Sequence, residues 1–227
     1  MKIGILLAGC GVYDGAEIHE AVFTLLAVDE NDAQAVFVAP DVEQHHVVNH
    51  ATGEETDEKR NVFVESARIA RGDIKKLADV TADDFDALVI PGGFGAAKNL
   101  NKWAFKGPDG DVLPDVKRII LELVEAGKPV GAVCMGPTVV AKALEGSGRE
   151  PVLTVGTTDK PSPYDIKDVS DGMAKIGAKP EMKSVEEVAV DEKNKIVTGP
   201  CYMMEASVKQ IRANAKMVVD NVVKLAG

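Results

Sequence analysis

The sequence predicts an α/β fold, a doubly wound, mostly parallel sheet sandwiched by helices, with a small β-hairpin near the C-terminus. Three observations predict it. The runs KIGILLA, AQAVFVA and DALVIP are apolar without alternation, as in strands buried on both faces of a parallel sheet. Helical patterns separate these runs, so consecutive strands are joined by right-handed crossovers. Glycine-rich turns follow the first and third runs, at the carboxyl ends of strands, where open α/β sheets place their sites.

The first strand spans Lys2 to Ala8 and leads into the turn GCGVYDG. A helix from Glu17 to Asp29 follows, with Ile18, Val22, Leu25 and Leu26 on its apolar side. Asp14 and Glu17 have capping-box spacing, with Asp14 as the cap. Ala33 to Ala39 is the second strand. Pro40 to Arg60 is polar and carries three of the four histidines. Asn61 opens a short helix as its N-cap and Gly72 stops it. Asp86 to Pro91 is the third strand, ending in Gly92-Gly93-Phe94-Gly95. The loop KNLNKWAFKGPDGDVLP precedes a helix that Pro114 opens and Gly127 closes. Lys128 to Val133 is a strand, Pro137 to Leu144 a short helix, Val152 to Val155 a fifth strand and Tyr164 to Ile176 a helix. Glu187 to Val190 and Lys195 to Thr198 pair as a hairpin through DEKN, and a long helix runs from Ser207 to Ala226. No repeat, low-complexity tract or linker interrupts residues 1–227, which read as one domain.

With 45% hydrophobic and 27% charged residues among 227, the balance is globular and excludes disorder, collagen and coiled coil. Aromatics make up only 4%, so aliphatic side chains must fill the core. A net charge of −10 repels phosphate backbones and anionic headgroups, so neither nucleic acid nor a membrane is expected as a partner. No run approaches the roughly 20 apolar residues that span a bilayer. The chain opens directly on a strand, leaving no room for a signal or transit peptide. Its three scattered cysteines fit neither a disulfide framework nor a zinc set. A reduced, cytoplasmic protein is the expectation.

Cys134 is the strongest candidate for chemistry. In GKPVGAVCMGPTVVAKAL an apolar strand stops, turns and becomes a helix, which is the layout of a nucleophile elbow. The small Ala132 and Gly136 suit a tight turn. A helix N-terminus favours thiolate, and the Met135 N–H points where an oxyanion would form. A buried structural cysteine is the plainer reading, but such a residue would more often lie inside a strand than on the turn after it. Glu20, a turn beyond Glu17, is free of capping duty and can serve as acid/base partner; alone it would read as an exposed helix acid. Glu20 is expected to keep its proton and hydrogen-bond to a Cys134 thiolate, because two adjacent anions push one pKa up. Cys10, in the first glycine turn, can line the same cleft, although nothing nearby would activate it. Both Cys10 and Cys201 read as packing residues.

Weaker patterns complete the survey. GCGVYDG joins strand to helix, as a dinucleotide-binding turn does, but it is one residue longer than that fingerprint and acidic where pyrophosphate would sit. PGGFG supplies N–H donors beside the cleft. His45, His46 and His50 match no standard zinc spacing, so no metal is expected.

Taken together, GCGVYDGAEIHEAV, NHATGEE, RNVFVESARIARG, DALVIPGGFGAAKNL, AGKPVGAVCMGP and DEKNKIVTGPCYM resemble the DJ-1/PfpI superfamily over nearly the whole chain, most closely its ElbB branch of isoprenoid-biosynthesis-associated, glyoxalase-like proteins. The resemblance implies a flavodoxin-like sandwich of the class I glutamine amidotransferase-like type, often a homodimer. It implies Cys134 as the elbow cysteine, Glu20 as the glutamate touching it and Gly93 as the oxyanion glycine, with Gly92 beside it. Met135 stands where proteolytic and amidotransferase-like members tend to carry His, and Gly156-Thr157-Thr158 stands where a downstream His would lie, which argues against peptide or glutamine hydrolysis. The expected activity is a cofactor-independent glyoxalase acting on a small aldehyde. His19 could assist only if its ring turned into the cleft, and helix neighbours point about 100° apart. A redox sensor using Cys134 is the alternative of another class, and a dinucleotide-binding protein the weaker one.

Overall fold

The computed structural model describes residues 1–227. Strand β1 (Lys2–Leu6) leads to helix α1 (Ile18–Glu30) and back to β2 (Gln34–Ala39). The polar segment folds as a small hairpin, β3 (Val48–Asn49) with β4 (Glu54–Glu55), before helix α2 (Val62–Ile69) and strand β5 (Ile74–Lys76). Strand β6 (Ala87–Ile90) is followed by a π-turn over Ala96–Leu100 and the short helix α3 (Trp103–Lys106), where the sequence suggested loop. Helix α4 (Pro114–Glu125), strand β7 (Val130–Val133) and helix α5 (Gly136–Leu144) form the next unit. Strand β8 (Val152–Gly156), helix α6 (Ile166–Lys175), strand β9 (Lys179–Met182), the hairpin β10 (Ala189–Asp191) and β11 (Ile196–Gly199), and helix α7 (Val208–Ala226) complete the chain.

Seven strands make the main sheet in the order β10-β11-β7-β6-β1-β2-β5. All neighbours are parallel except β10, which runs antiparallel to β11 with Ala189 opposite Thr198. The α/β sandwich with its hairpin is therefore the predicted one. The chain winds outward from β1 through β2 to β5, then returns to β6 on the other side of β1. The β1/β6 junction is thus the switch point, where the turns at the carboxyl ends splay apart and leave a crevice.

Three expectations are corrected. Val152–Gly156 lies outside the main sheet and pairs with β9 in a two-stranded sheet of its own. It is held to β11 through a side chain, with Thr154 N–H donating to Thr198 Oγ1 at 2.8 Å. Most of the apolar side assigned to α1 faces out: Ile18, Val22 and Leu26 are 44%, 44% and 37% exposed, and only Leu25 of that set packs against the core, while Glu20, Ala21, Thr24, Ala27 and Val28 are buried. Small residues let α1 settle closely on its neighbours, so close approach outweighed hydrophobicity in choosing the inner face. The cap of α1 is Glu17, whose Oε2 accepts from Glu20 N–H at 2.7 Å. Asp14 is used elsewhere, accepting from Val48 N–H at 2.7 Å. The turn before α1 runs on through Gly15 and Ala16 to dock on the β6 turn, which delays the helix start. The caps of α2 (Asn61) and α7 (Ser207, with a Gln210 capping box) are as the sequence suggests.

Candidate active site

Four neighbouring strands, β1, β6, β7 and β11, deliver the site at their carboxyl ends. Cys134 follows β7 with φ +57°, a left-handed conformation that costs a non-glycine residue on the order of 1 kcal/mol or more. Its N–H donates to Gly199 O at 3.0 Å, tying the elbow to β11. Met135 then caps α5, with Pro137 in the first turn. The strained turn stands the side chain up from the sheet edge and aims the Met135 N–H at the sulfur.

The β1 and β6 turns interlock beneath this point. Glu17 N–H donates to Gly92 O at 3.0 Å, Phe94 N–H to Val12 O at 2.8 Å and Gly95 N–H to Gly15 O at 2.9 Å. Gly92 is required by closeness: a Cβ there would lie 2.4 Å from Cys134 Cβ and 2.7 Å from Glu20 Oε2. The first glycine turn is filled by its own chain, since a Cβ on Gly15 would lie 2.2 Å from Cys10 N. That packing leaves the dinucleotide reading without a phosphate cradle.

Glu20 is fully buried, not an exposed helix acid. Its Oε2 accepts from Gly92 N–H at 3.0 Å and its Oε1 from Tyr202 N–H at 3.1 Å, and the carboxyl is hydrogen-bonded to Cys134. Burial, then the neighbouring Glu17 charge, pushes Glu20 up to about 8 against the pull of those N–H groups. The carboxyl therefore keeps its proton at neutral pH, as the sequence suggested. The sulfur departs from that expectation. Cys134 is 5% exposed, and burial followed by any charge on Glu20 pushes the thiol above its ordinary value. The Gly93 and Met135 N–H groups both point at the sulfur and oppose that rise, but loss of water outweighs them. In the free protein the pair rests neutral, one proton on each group.

Above Cys134 opens a cavity of about 190 Å³ walled by Val12, Phe94, Met135, Tyr164, Val169, Tyr202 and Met203, with Glu17, Gly93, Asp165 and Asp168 completing it. Tyr164 is pushed up to about 12, chiefly by burial, so its hydroxyl stays neutral. Of the residues singled out from sequence, Cys134, Glu20, Gly92, Gly93 and Met135 come together. His19 does not enter the cavity; its Nδ1 lies 2.8 Å from the Tyr202 hydroxyl and reaches the site only through that ring. Cys10 is absent from the cavity wall, and burial and the Glu65 charge push its thiol up. His45 lies tilted against His46 and Phe105, and His46 meets Phe105 edge-on, whereas His50 packs on Tyr13 and lies 3.7 Å from Asp14. Tyr202 and Tyr164 were missed. The signal for Tyr202 was positional, three residues past a strand that borders the elbow strand.

The DJ-1/PfpI family model matches residues 10–207. A human protein, glutamine amidotransferase-like class 1 domain-containing protein 3, mitochondrial, is 41% identical over 100% of this chain and 84% of its own length. The rat ES1 protein homolog, mitochondrial, gives the same identity and coverage, 41% over 100% and 84%. Among solved structures, an isoprenoid biosynthesis protein with amidotransferase-like domain from Ehrlichia chaffeensis is 32% identical and superposes with a TM-score of 0.87 over 99% of both chains. Glyoxalase III from Candida albicans shares the fold, with a TM-score of 0.60 over 97% of each chain at 17% identity. The cytoplasmic expectation is overturned here: the human, rat and zebrafish relatives are mitochondrial proteins by name. Reading the N-terminus for a missing leader was the wrong basis for it.

Proposed function

Because the chain belongs to the DJ-1/PfpI family, we propose that it is a glyoxalase-type enzyme, needing no cofactor, that converts glyoxal or another small 2-oxoaldehyde to the 2-hydroxy acid. The observation that carries this reading is the elbow thiol at φ +57°, hydrogen-bonded to a buried carboxyl and met by two N–H donors under an apolar cavity. Glyoxalase III has the same fold, which fits the reading.

Ionised Glu20 takes the Cys134 thiol proton as sulfur bonds to the aldehyde carbon, and the carbonyl oxygen receives that proton to give a hemithioacetal. The Gly93 and Met135 N–H groups hold the oxygen while it is negative. Glu20 then takes the proton from carbon 1, its carboxyl exchanges that proton with solvent, and it delivers a proton to carbon 2. The carbon 1 hydroxyl proton passes to the carbon 2 oxygen, leaving a thioester on sulfur. Water adds, the C–S bond breaks, the thiol regains its proton and the 2-hydroxy acid leaves. Atoms balance as aldehyde plus water, with no external oxidant or reductant. The chain acts as one unit over residues 1–227 and pairs as a homodimer, consistent with the exposed apolar line Ile18, Val22 and Leu26 on α1. A redox-sensor role has less support, because a buried thiol pushed upward offers little thiolate to an oxidant. Incubation with glyoxal, without glutathione, and detection of glycolate by NMR tests the proposal. Turnover absent from Cys134→Ala is expected, and equal rates in the two proteins would overturn it.

A further inference from the structure

The walls of the cavity differ from its rim in a way that selects among aldehydes. Val12, Phe94, Tyr164, Val169, Tyr202 and Met203 present an apolar surface, and the acidic groups that complete it are Glu17, Asp165 and Asp168. No lysine, arginine or histidine lines it. The two aspartates belong to the start of α6, where Asp165 accepts from Asp168 N–H at 2.9 Å as the cap. The N–H groups of Gly93 and Met135 are directed at the sulfur and are committed to the developing oxyanion beside it, so they are not free for an anionic substituent.

Size points the same way. A cavity of about 190 Å³ exceeds the roughly 150 Å³ that accommodates benzene in a protein interior. Glyoxal would leave most of that apolar surface uncovered, whereas a ring or branched alkyl group would cover it.

We infer that the site takes an uncharged 2-oxoaldehyde whose ketone carbon bears an apolar substituent about the size of an aromatic ring, and turns away carboxylated or phosphorylated aldehydes. This rests on Cys134 being the nucleophile of the proposed reaction. The substituent lies between Phe94, Tyr164 and Tyr202, with the aldehyde over the sulfur. Carboxylates at the cavity mouth oppose an incoming anion before it meets the thiol.

Two readouts separate this inference from the reaction itself. The first is alkylation of Cys134, followed by peptide mass, with phenacyl bromide (neutral, aryl) and iodoacetate (anionic), each rate divided by that on glutathione. The neutral aryl reagent should be preferred at Cys134 by about tenfold beyond its preference on glutathione, the effect of several partly screened charges. Asp165→Asn combined with Asp168→Asn keeps a capping side chain and should narrow that preference about threefold. The second readout is kcat/KM, expected to be about tenfold higher for phenylglyoxal than for glyoxal and lower again for 4-carboxyphenylglyoxal. A Cys134 preference equal to that of glutathione would overturn the inference. Absence of turnover with every aldehyde, alongside an intact alkylation preference, would overturn the reaction proposed for Cys134 while the selectivity of the cavity stood.

Discussion

Glu20 decides how the site behaves with pH. Burial holds its carboxyl up to about 8, so the ionised form that takes protons grows as pH rises from 6 to 9. Turnover should follow it, half-maximal near that value, and Glu20→Gln should be flat with pH and lower by about 10² or more. The same shift acts on stability. An unfolded chain releases this proton near 4.5, while the folded chain keeps it to about 8, so the contribution is fully present below the lower value and lost as pH rises through the higher one. The wild type should therefore lose on the order of 4 kcal/mol between those limits. Glu20→Gln has no proton to lose and should show a nearly level stability there, measured by urea unfolding at each pH. Equal pH slopes in the two proteins would contradict the assignment.

The elements show why some of this was legible in sequence. Strands β1, β2, β6 and β7 declare themselves as unbroken apolar runs, and the elbow residues travel together in one motif, so Cys134 and Met135 could be found without coordinates. Glu20 and Gly93 were legible through the resemblance of their motifs. Strands β5 (IKK) and β9 (KPEM) are short and polar, and only pairing with a neighbour makes them strands. Helix α1 misled because Ile18, Val22 and Leu26 point outward; the inner face is chosen by room for Ala21, Thr24 and Ala27 beside α7. Tyr202 and Tyr164 join the site only through strand order and the docking of α6, which no local pattern records. The β8 attachment makes a test at this scale. Thr198→Val keeps volume but strips the acceptor from Thr154 N–H in a buried setting, and should cost about 1–3 kcal/mol. A change below about 0.5 kcal/mol would mean that another group holds β8 to the sheet.

At the scale of the molecule, the outward apolar line of α1 fits the proposed pairing of two chains. Val22, 44% exposed, can be replaced by Glu without disturbing the core. Val22→Glu should move the mass found by light scattering from dimer towards monomer; a wild type that is already monomeric would remove the proposal. Everything else converges on the crevice at the β1/β6 switch point, where separate turns bring a thiol, a carboxyl and two N–H donors together under one cavity. The central claim is that this group moves a proton between adjacent carbons of a thiol-bound aldehyde. Conversion of glyoxal in deuterium oxide, without glutathione and followed by NMR, tests it most directly. The account predicts glycolate carrying solvent deuterium at carbon 2, formed by the wild type and not by Cys134→Ala. Glycolate without deuterium would contradict a solvent-exchanged proton relayed by Glu20, and no glycolate above the Cys134→Ala background would contradict the reaction altogether.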